Sequence, residues 1–394
     1  MDFRFTLEED AFRTEVRQFI DSEVPPEHRT FDELGAEGED LEKAVTFRRQ
    51  FAKRLAAKGW LVMAWPKEYG GGGASYIEQL IFNEEMAYTG APPVGTMGKG
   101  WVGPSIMVHG TEEQKKEHLP RIANADVEWS TGFSEPGAGS DLASLQTRAV
   151  HDGGFFVVNG QKIWTSGAQG SDWCWLAVRT DANAPKHKGI SIVMADMKTP
   201  GITIRPLINM ANAAGFCEVF WDDVKIPMKN LVGPLNGGWY VTAAGLDFER
   251  MAVAPAAGIK RLVEDLVLYA EEKEKAGQAV DMIIRHRLAE MMIECEVARM
   301  FAFRVCSMQM RGTIPNYEAS MGKLFNSELQ QRVGNVGMQL LGMTGQIHAG
   351  SRWAGLMGRI TQWYLSTVGI TLASGTSEIQ RNVIAQRGLG LPRG

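Results

Sequence analysis

The strongest constraint on this chain is a change of texture part-way along it. Apolar residues fall at helical spacing at both ends. From about residue 129 to 232 that spacing gives way to short runs rich in Val, Ile, Phe and Trp: FFVVNGQKIW, WCWLAVRT, GISIVMADM, GITIRPL and CEVFWDDVKI. Such runs, broken by turn residues, read as strands. Several at this spacing favour a small antiparallel barrel or sandwich, and Asn159-Gly160 between apolar runs predicts a two-residue hairpin. The chain is therefore expected to be multidomain α+β, with an N-terminal all-α domain over 1–125, a middle β domain over 126–236 and a C-terminal helical bundle over 237–394.

The N-terminal part carries its own punctuation. Thr6 and Glu9 have capping-box spacing, after which Phe12, Val16, Phe19, Ile20 and Val24 share one face until Pro25 and Pro26. A second helix is expected over about 41–58, with Phe47, Phe51 and Leu55 on one stripe. Ser75 and Glu78 predict a third, reaching about Tyr88, and Thr111 and Gln114 a short one ending before Pro120. Beyond Trp239, RLVEDLVLYAEE and the Met-rich RLAEMMIECEVARMFAFRVCSMQM read as bundle helices whose methionines fill core.

Charge and composition remove several classes of function. With 41 basic and 46 acidic residues the net charge is −5, which disfavours a nucleic-acid binder. No apolar stretch is long enough for a membrane span, and the acidic start MDFRFTLEEDAF does not read as a signal peptide, so a cytoplasmic location is expected. Cys174, Cys217, Cys295 and Cys306 lack CxxC spacing and read as buried thiols. The seven histidines are scattered, so no metal site is expected.

Two glycine-rich segments call for opposite readings. The run of four at 70–73 lacks the Lys-Ser/Thr of a phosphate loop and reads as a flexible turn, and no GxSxG elbow supports a hydrolase. FSEPGAGSDL at 133–142 is different: Gly137 and Gly139 remove side-chain obstruction, while Ser134 and Ser140 add hydroxyls. Such a loop suits close approach to a flat ring or a pyrophosphate, although an ordinary Pro-Gly turn would look the same.

Two further segments accompany it: NGQKIWTSGA at 159–168 and SGTSEIQR at 374–381. With WPKEYGGGG, GTEEQKKEHLP and FERMAVAPAAG, and in this order across essentially the whole chain, they closely resemble the acyl-CoA dehydrogenase family of flavoproteins. The resemblance implies FAD between the middle domain and the bundle, and assembly as a homo-tetramer or dimer. It implies that Phe133 and Ser134 line the isoalloxazine, with Gly139 and Ser140 near the pyrophosphate and the acyl-CoA. Trp164 would pack beside the ring, with Thr165 next to it and Ser166 near N5. Thr376 and Glu378 would reach the cofactor from the bundle, and Gln339 its adenosine end across a subunit interface.

The reaction so implied converts an acyl-CoA thioester to its trans-2-enoyl thioester, with electrons leaving to an electron-transfer flavoprotein. A carboxylate can take the α-proton only if hydrogen bonds to the thioester oxygen acidify it and water is excluded. The resemblance assigns one of those donors to the backbone N–H of Ser374. Most relatives have a glutamate there, as Tyr-Glu-Gly-Thr, where this chain reads Ala373-Ser374-Gly375-Thr376. The isovaleryl- and long-chain branch carries its glutamate on a bundle helix instead, and that position matches Glu249 in GLDFERMAV. Glu249 is therefore the expected base, with Asp247 and Arg250 contacting the acyl-CoA. A second departure is Lys273, Ala276 and Gly277 where many relatives have the Arg-x-x-Phe-Gly that reaches a neighbour's FAD. Two other readings remain open beside the enzyme: a non-catalytic subunit of a hetero-oligomer, and a nucleic-acid-binding relative that the net charge disfavours.

Overall fold

The computed structural model describes residues 4–29, 38–242 and 253–392. Among the described residues five α-helices form the N-terminal region: α1 (Leu7–Glu23), α2 (Gly38–Ala57), α3 (Tyr76–Thr89), α4 (Gly103–His109) and α5 (Glu112–Ala123). The capping box of α1 is complete, with Glu9 N–H donating to Thr6 Oγ1 at 3.2 Å and Thr6 N–H to Glu9 Oε2 at 2.8 Å. Ser75 with Glu78, and Thr111 with Gln114, close the same reciprocal pairs. Val16, Ile20, Phe51 and Leu55 are fully buried, so the stripes expected on α1 and α2 face one core.

Two expectations fail here for local reasons. Helix α5 does not stop before Pro120 but runs through it to Ala123. The missing N–H costs one intrahelical bond, while Asn124 N–H still reaches Pro120 O at 2.9 Å and buried Leu119 and Ile122 hold the last turn. The glycine run at 70–73 is a packed turn rather than a flexible one. Gly71 donates to Pro66 O at 3.2 Å and Gly73 to Trp65 O at 3.0 Å, and a Cβ on Gly71 would overlap the Trp65 carbonyl.

The middle region is one eight-stranded sheet built from β1 (Trp129–Gly132), β2 (Arg148–Asp152), β3 (Phe155–Ser166), β4 (Trp173–Arg179), β5 (Ile190–Asp196), β6 (Ile202–Leu207), β7 (Phe216–Pro227) and β8 (Leu231–Val232). Its order is β6-β7-β3-β2-β4-β5-β8, with β1 on β4. Among the described residues its pairs are antiparallel, except that β1 and β2 run parallel to β4. The unbroken apolar runs of β4 and β5 follow from burial on both faces. Trp175, Ala177, Ile192 and Met194 point into the helical N-terminal core, whereas Cys174, Leu176, Val178 and Val193 point into the sheet's own core.

Asn159-Gly160 does not make the expected hairpin. The β2–β3 turn is at Gly153 and Gly154, with φ of 54° and 91°, and β3 continues through Asn159-Gly160 with a shift of register against β7. The reason is steric: β3 crosses Thr147 so closely that a Cβ on residue 160 would lie 2.5 Å from Thr147 Oγ1.

The C-terminal region comprises α6 (Val253–Lys275), α7 (Met282–Met310), α8 (Tyr317–Leu341), α9 (Arg359–Ile370) and α10 (Ser377–Val383). Ile259, Leu266, Cys295, Leu329, Val333 and Ile360 form its core. Helix α9 approaches α8 at Gly337, where a Cβ would come 2.8 Å from Ile360 Cγ2. Helix α3 docks on this bundle through Tyr88 Oη, which donates to Glu264 Oε2 at 2.6 Å, and through an ion pair of Glu84 with Arg299. Next to it, buried Glu85 takes both Arg13 and Arg17 from α1. All four cysteines are buried and free. Among the described residues no helix is long and apolar enough to cross a membrane.

Candidate active site

Two of the singled-out segments meet on the middle sheet. Ile163 N–H donates to Ser134 O at 2.9 Å, which lays the 133–142 loop along β3 just before Trp164. Phe133 is half-buried, its ring 5.4 Å from that of Trp101. The turn that follows closes by mutual backbone bonds between Glu135 and Ala138, both 3.0 Å. Gly137 and Gly139 face open space, and Ser140 is exposed. Asp141 anchors the far end of the loop through Lys186 Nζ at 2.8 Å. A cavity of about 460 Å³ borders the loop at Glu135, Pro136 and Gly137.

Strand β3 delivers Trp164 by an irregularity. Its register against β7 shifts between Lys162 and Thr165, and Trp164 has a φ of 60°. A left-handed backbone at a bulky residue costs roughly 1–3 kcal/mol, and the neighbouring ladder must hold it there. The consequence is an indole 57% exposed, standing edge-on to Phe216 at 5.9 Å. Ser166 is likewise exposed, whereas Thr165 is turned into the sheet with its Oγ1 buried and without a hydrogen bond.

Beneath both segments lies an ion pair that sequence reasoning missed. Lys162 is fully buried, and its Nζ donates to Glu135 Oε1 at 2.8 Å and to Phe133 O at 3.0 Å. Glu135 also accepts from the backbone of Gln146 at 2.6 Å and Thr147 at 2.8 Å. Burial pulls the Lys162 ammonium down to about 8 against the opposing pull of Glu135. For Glu135 burial acts upward, but Lys162 and the amide donors hold the carboxyl below its ordinary range. One available signal was a lone lysine at an inward position of an apolar strand, on the same parity as buried Phe156 and Val158.

The bundle carries the third segment. Ser374 and Gly375 are both left-handed, with φ of 53° and 86°, in the turn between α9 and α10. Thr376 caps α10, accepting from Ile379 N–H at 3.2 Å. Glu378 is exposed in the first turn, where its own backbone N–H and the Thr376 hydroxyl hold its carboxyl below the usual range. At the opposite end of α8, Gln339 is exposed and accepts from Arg287 Nη1 at 2.7 Å. Lys273 Nζ reaches Leu340 O at 3.1 Å, so this cation stands beside Gln339 although the Arg-x-x-Phe-Gly pattern is absent. Asp247, Glu249 and Arg250 lie outside the described residues.

The described geometry fits a flat heteroaromatic cofactor with polar edges, as FAD is. An aromatic plane is held outward at Trp164, open space lies over Gly137 and Gly139, and the hydroxyl-bearing Ser134, Ser140 and Ser166 border the same two segments. Among the described residues no group of His, Cys, Asp and Glu is placed to hold a metal ion.

Comparison with known proteins agrees along the whole length. The acyl-CoA dehydrogenase N-terminal, middle and C-terminal domain families match residues 6–126, 130–224 and 236–389. The chain is 36% identical to acyl-CoA dehydrogenase FadE26 of Mycobacterium tuberculosis, over 100% of this chain and 99% of that protein. Its fold superposes with a TM-score of 0.89 on the Tcur3481-Tcur3483 steroid ACAD, at 33% identity and full coverage of both chains. It superposes equally, at 0.89 and 36% identity and again over all of both chains, on the ChsE4-ChsE5 complex of Mycobacterium tuberculosis. The chain belongs to the acyl-CoA dehydrogenase family.

Proposed function

We propose that this chain binds FAD and oxidises the Cα–Cβ bond of an acyl-CoA thioester to the trans-2-enoyl thioester, with Glu249 as the base. The observation that carries the reading is the pairing of the 133–142 loop with the strained, outward Trp164 on one strand. When bound, FAD would take the hydride equivalent from Cβ and release two electrons to an electron-transfer flavoprotein. The chain's own part is to seat ring and thioester and to move one proton. Phe133 and Trp164 pack against the ring, Ser134 and Ser166 meet its polar edge, Gly139 and Thr165 contribute through the same segments, and Ser140 meets the phosphates. Thr376 and Glu378 contact the cofactor from the bundle, and Gln339 with Arg287 offers the adenosine end a polar seat on a neighbouring subunit. The Ser374 N–H donates to the thioester oxygen as negative charge develops on it, Asp247 and Arg250 hold the acyl-CoA, and the Glu249 carboxylate receives the α-proton.

A relative named as a steroid ACAD supports a bulky, ring-bearing acyl group as substrate. Two-chain relatives, Tcur3481-Tcur3483 and ChsE4-ChsE5, keep a second reading alive, in which this chain is the non-catalytic half of a hetero-oligomer in the cytoplasm. Anaerobic titration with a panel of straight, branched and polycyclic acyl-CoAs separates the two. Bleaching of flavin in the homo-oligomer supports the enzyme. Loss of FAD from the isolated chain, restored only by a paralogous partner, supports the other.

A further inference from the structure

The turn that presents Ser374 is held by two side chains from different helices. Lys323, on α8, donates from Nζ to Gly375 O at 2.7 Å, and Gln380, on α10, donates from Nε2 to Ser374 O at 3.0 Å and to Gly375 O at 3.4 Å. Two successive carbonyls are thus captured, at the two successive residues that carry left-handed φ. Peptide planarity turns each captured carbonyl into a fixed direction for the next N–H, and holding the backbone dihedrals of Ser374 fixes its own N–H relative to both. A serine does not hold this conformation unaided, since its Cβ crowds the following carbonyl. Lys323 is half-buried, and burial lowers its ammonium below the ordinary lysine value against the pull of Glu328 and Glu378. A charge-assisted bond from such a group is strong and short.

We propose that Lys323 and Gln380 are positioning residues for the reaction: by clamping the Ser374–Gly375 turn from two helices, they aim the Ser374 N–H at the thioester oxygen. This rests on the reading of Ser374 given above. Relatives with glutamate at this position would need the turn to place a side chain as well; here the turn has only its backbone to offer, so its geometry matters the more.

The test compares wild type, Lys323→Met, Lys323→Arg and Gln380→Leu as FAD-loaded full chains. Hydrogen exchange of the peptide spanning 371–377 reads the clamp, and kcat and KM with the acyl-CoA that best bleaches the wild type read its purpose. The expected result is faster exchange and kcat lower by about 10²-fold in Lys323→Met, the scale of a misplaced catalytic group. KM, FAD content and melting temperature should stay near wild type, Gln380→Leu should behave in the same sense, and Lys323→Arg should recover most of kcat. Unchanged exchange in Lys323→Met, or faster exchange with unaltered kcat, overturns the proposal. If no acyl-CoA bleaches the wild-type flavin, the reading beneath it fails and takes the proposal with it, a result the exchange data distinguish from failure of the clamp alone.

Discussion

Lys162 Nζ lies 2.8 Å from Glu135 Oε1, with both side chains buried, and the same ammonium holds the carbonyl of Phe133. The pair ties β3 to the 133–142 loop at the point where the two segments meet. Removing one partner strands the other charge in the interior. Lys162→Met is therefore expected to destabilise the protein by about 3–5 kcal/mol. Pairing it with Glu135→Leu should recover part of that, but not all, because the N–H groups of Gln146 and Thr147 lose their acceptor. Denaturation curves and FAD stoichiometry of the three variants check this; an additive double variant would contradict it.

His118 packs edge-on against the stacked pair Trp129 and Trp173, with its Nδ1 unpaired. Burial drives its imidazole down to about 4 from 6.5. The unfolded chain therefore binds a proton between pH 6.5 and about 4 that the folded one refuses, so stability falls as pH drops through that window. The loss attributable to this group is roughly 3 kcal/mol. His118→Phe should flatten that slope, leaving the steeper loss below the ordinary carboxylate range that Glu84 and Glu135 cause. An unchanged slope in melting temperature against pH would contradict it.

Trp164 gives up backbone comfort to stand outward. Trp164→Ala should cost little stability, because the indole is 57% exposed, yet weaken FAD binding by about tenfold or more. Trp164→Gly should be at least as stable as Trp164→Ala, since glycine accepts a φ of 60° without crowding. Equilibrium dialysis of FAD and thermal melts check both; a large loss of stability in Trp164→Ala would show the indole to be core.

What the sequence made legible was local. Thr6 with Glu9, Ser75 with Glu78 and Thr111 with Gln114 each mark a helix start, because a capping box is complete within four residues. The misreadings came where a distant segment overruled the local signal. Asn159-Gly160 carries hairpin chemistry, but crossing Thr147 makes that glycine a strand contact instead. Pro120 would end an isolated helix, yet buried Leu119 and Ile122 carry α5 past it. The three segments carrying the family motifs were readable in the sequence, whereas the groups that hold them were not. Glu135 is 27 positions from Lys162, and Lys323 is 52 from Gly375. Only the fold brings such partners together.

The central claim is that Glu249 accepts the α-proton while Ser374 supplies only its backbone. Glu249→Gln, loaded with FAD and mixed anaerobically with the acyl-CoA that best bleaches the wild type, tests it most directly. The account predicts a variant that keeps its flavin but whose absorbance stays oxidised, while Ser374→Ala still bleaches because the N–H remains. Bleaching at the wild-type rate in Glu249→Gln, or its abolition in Ser374→Ala, would contradict it.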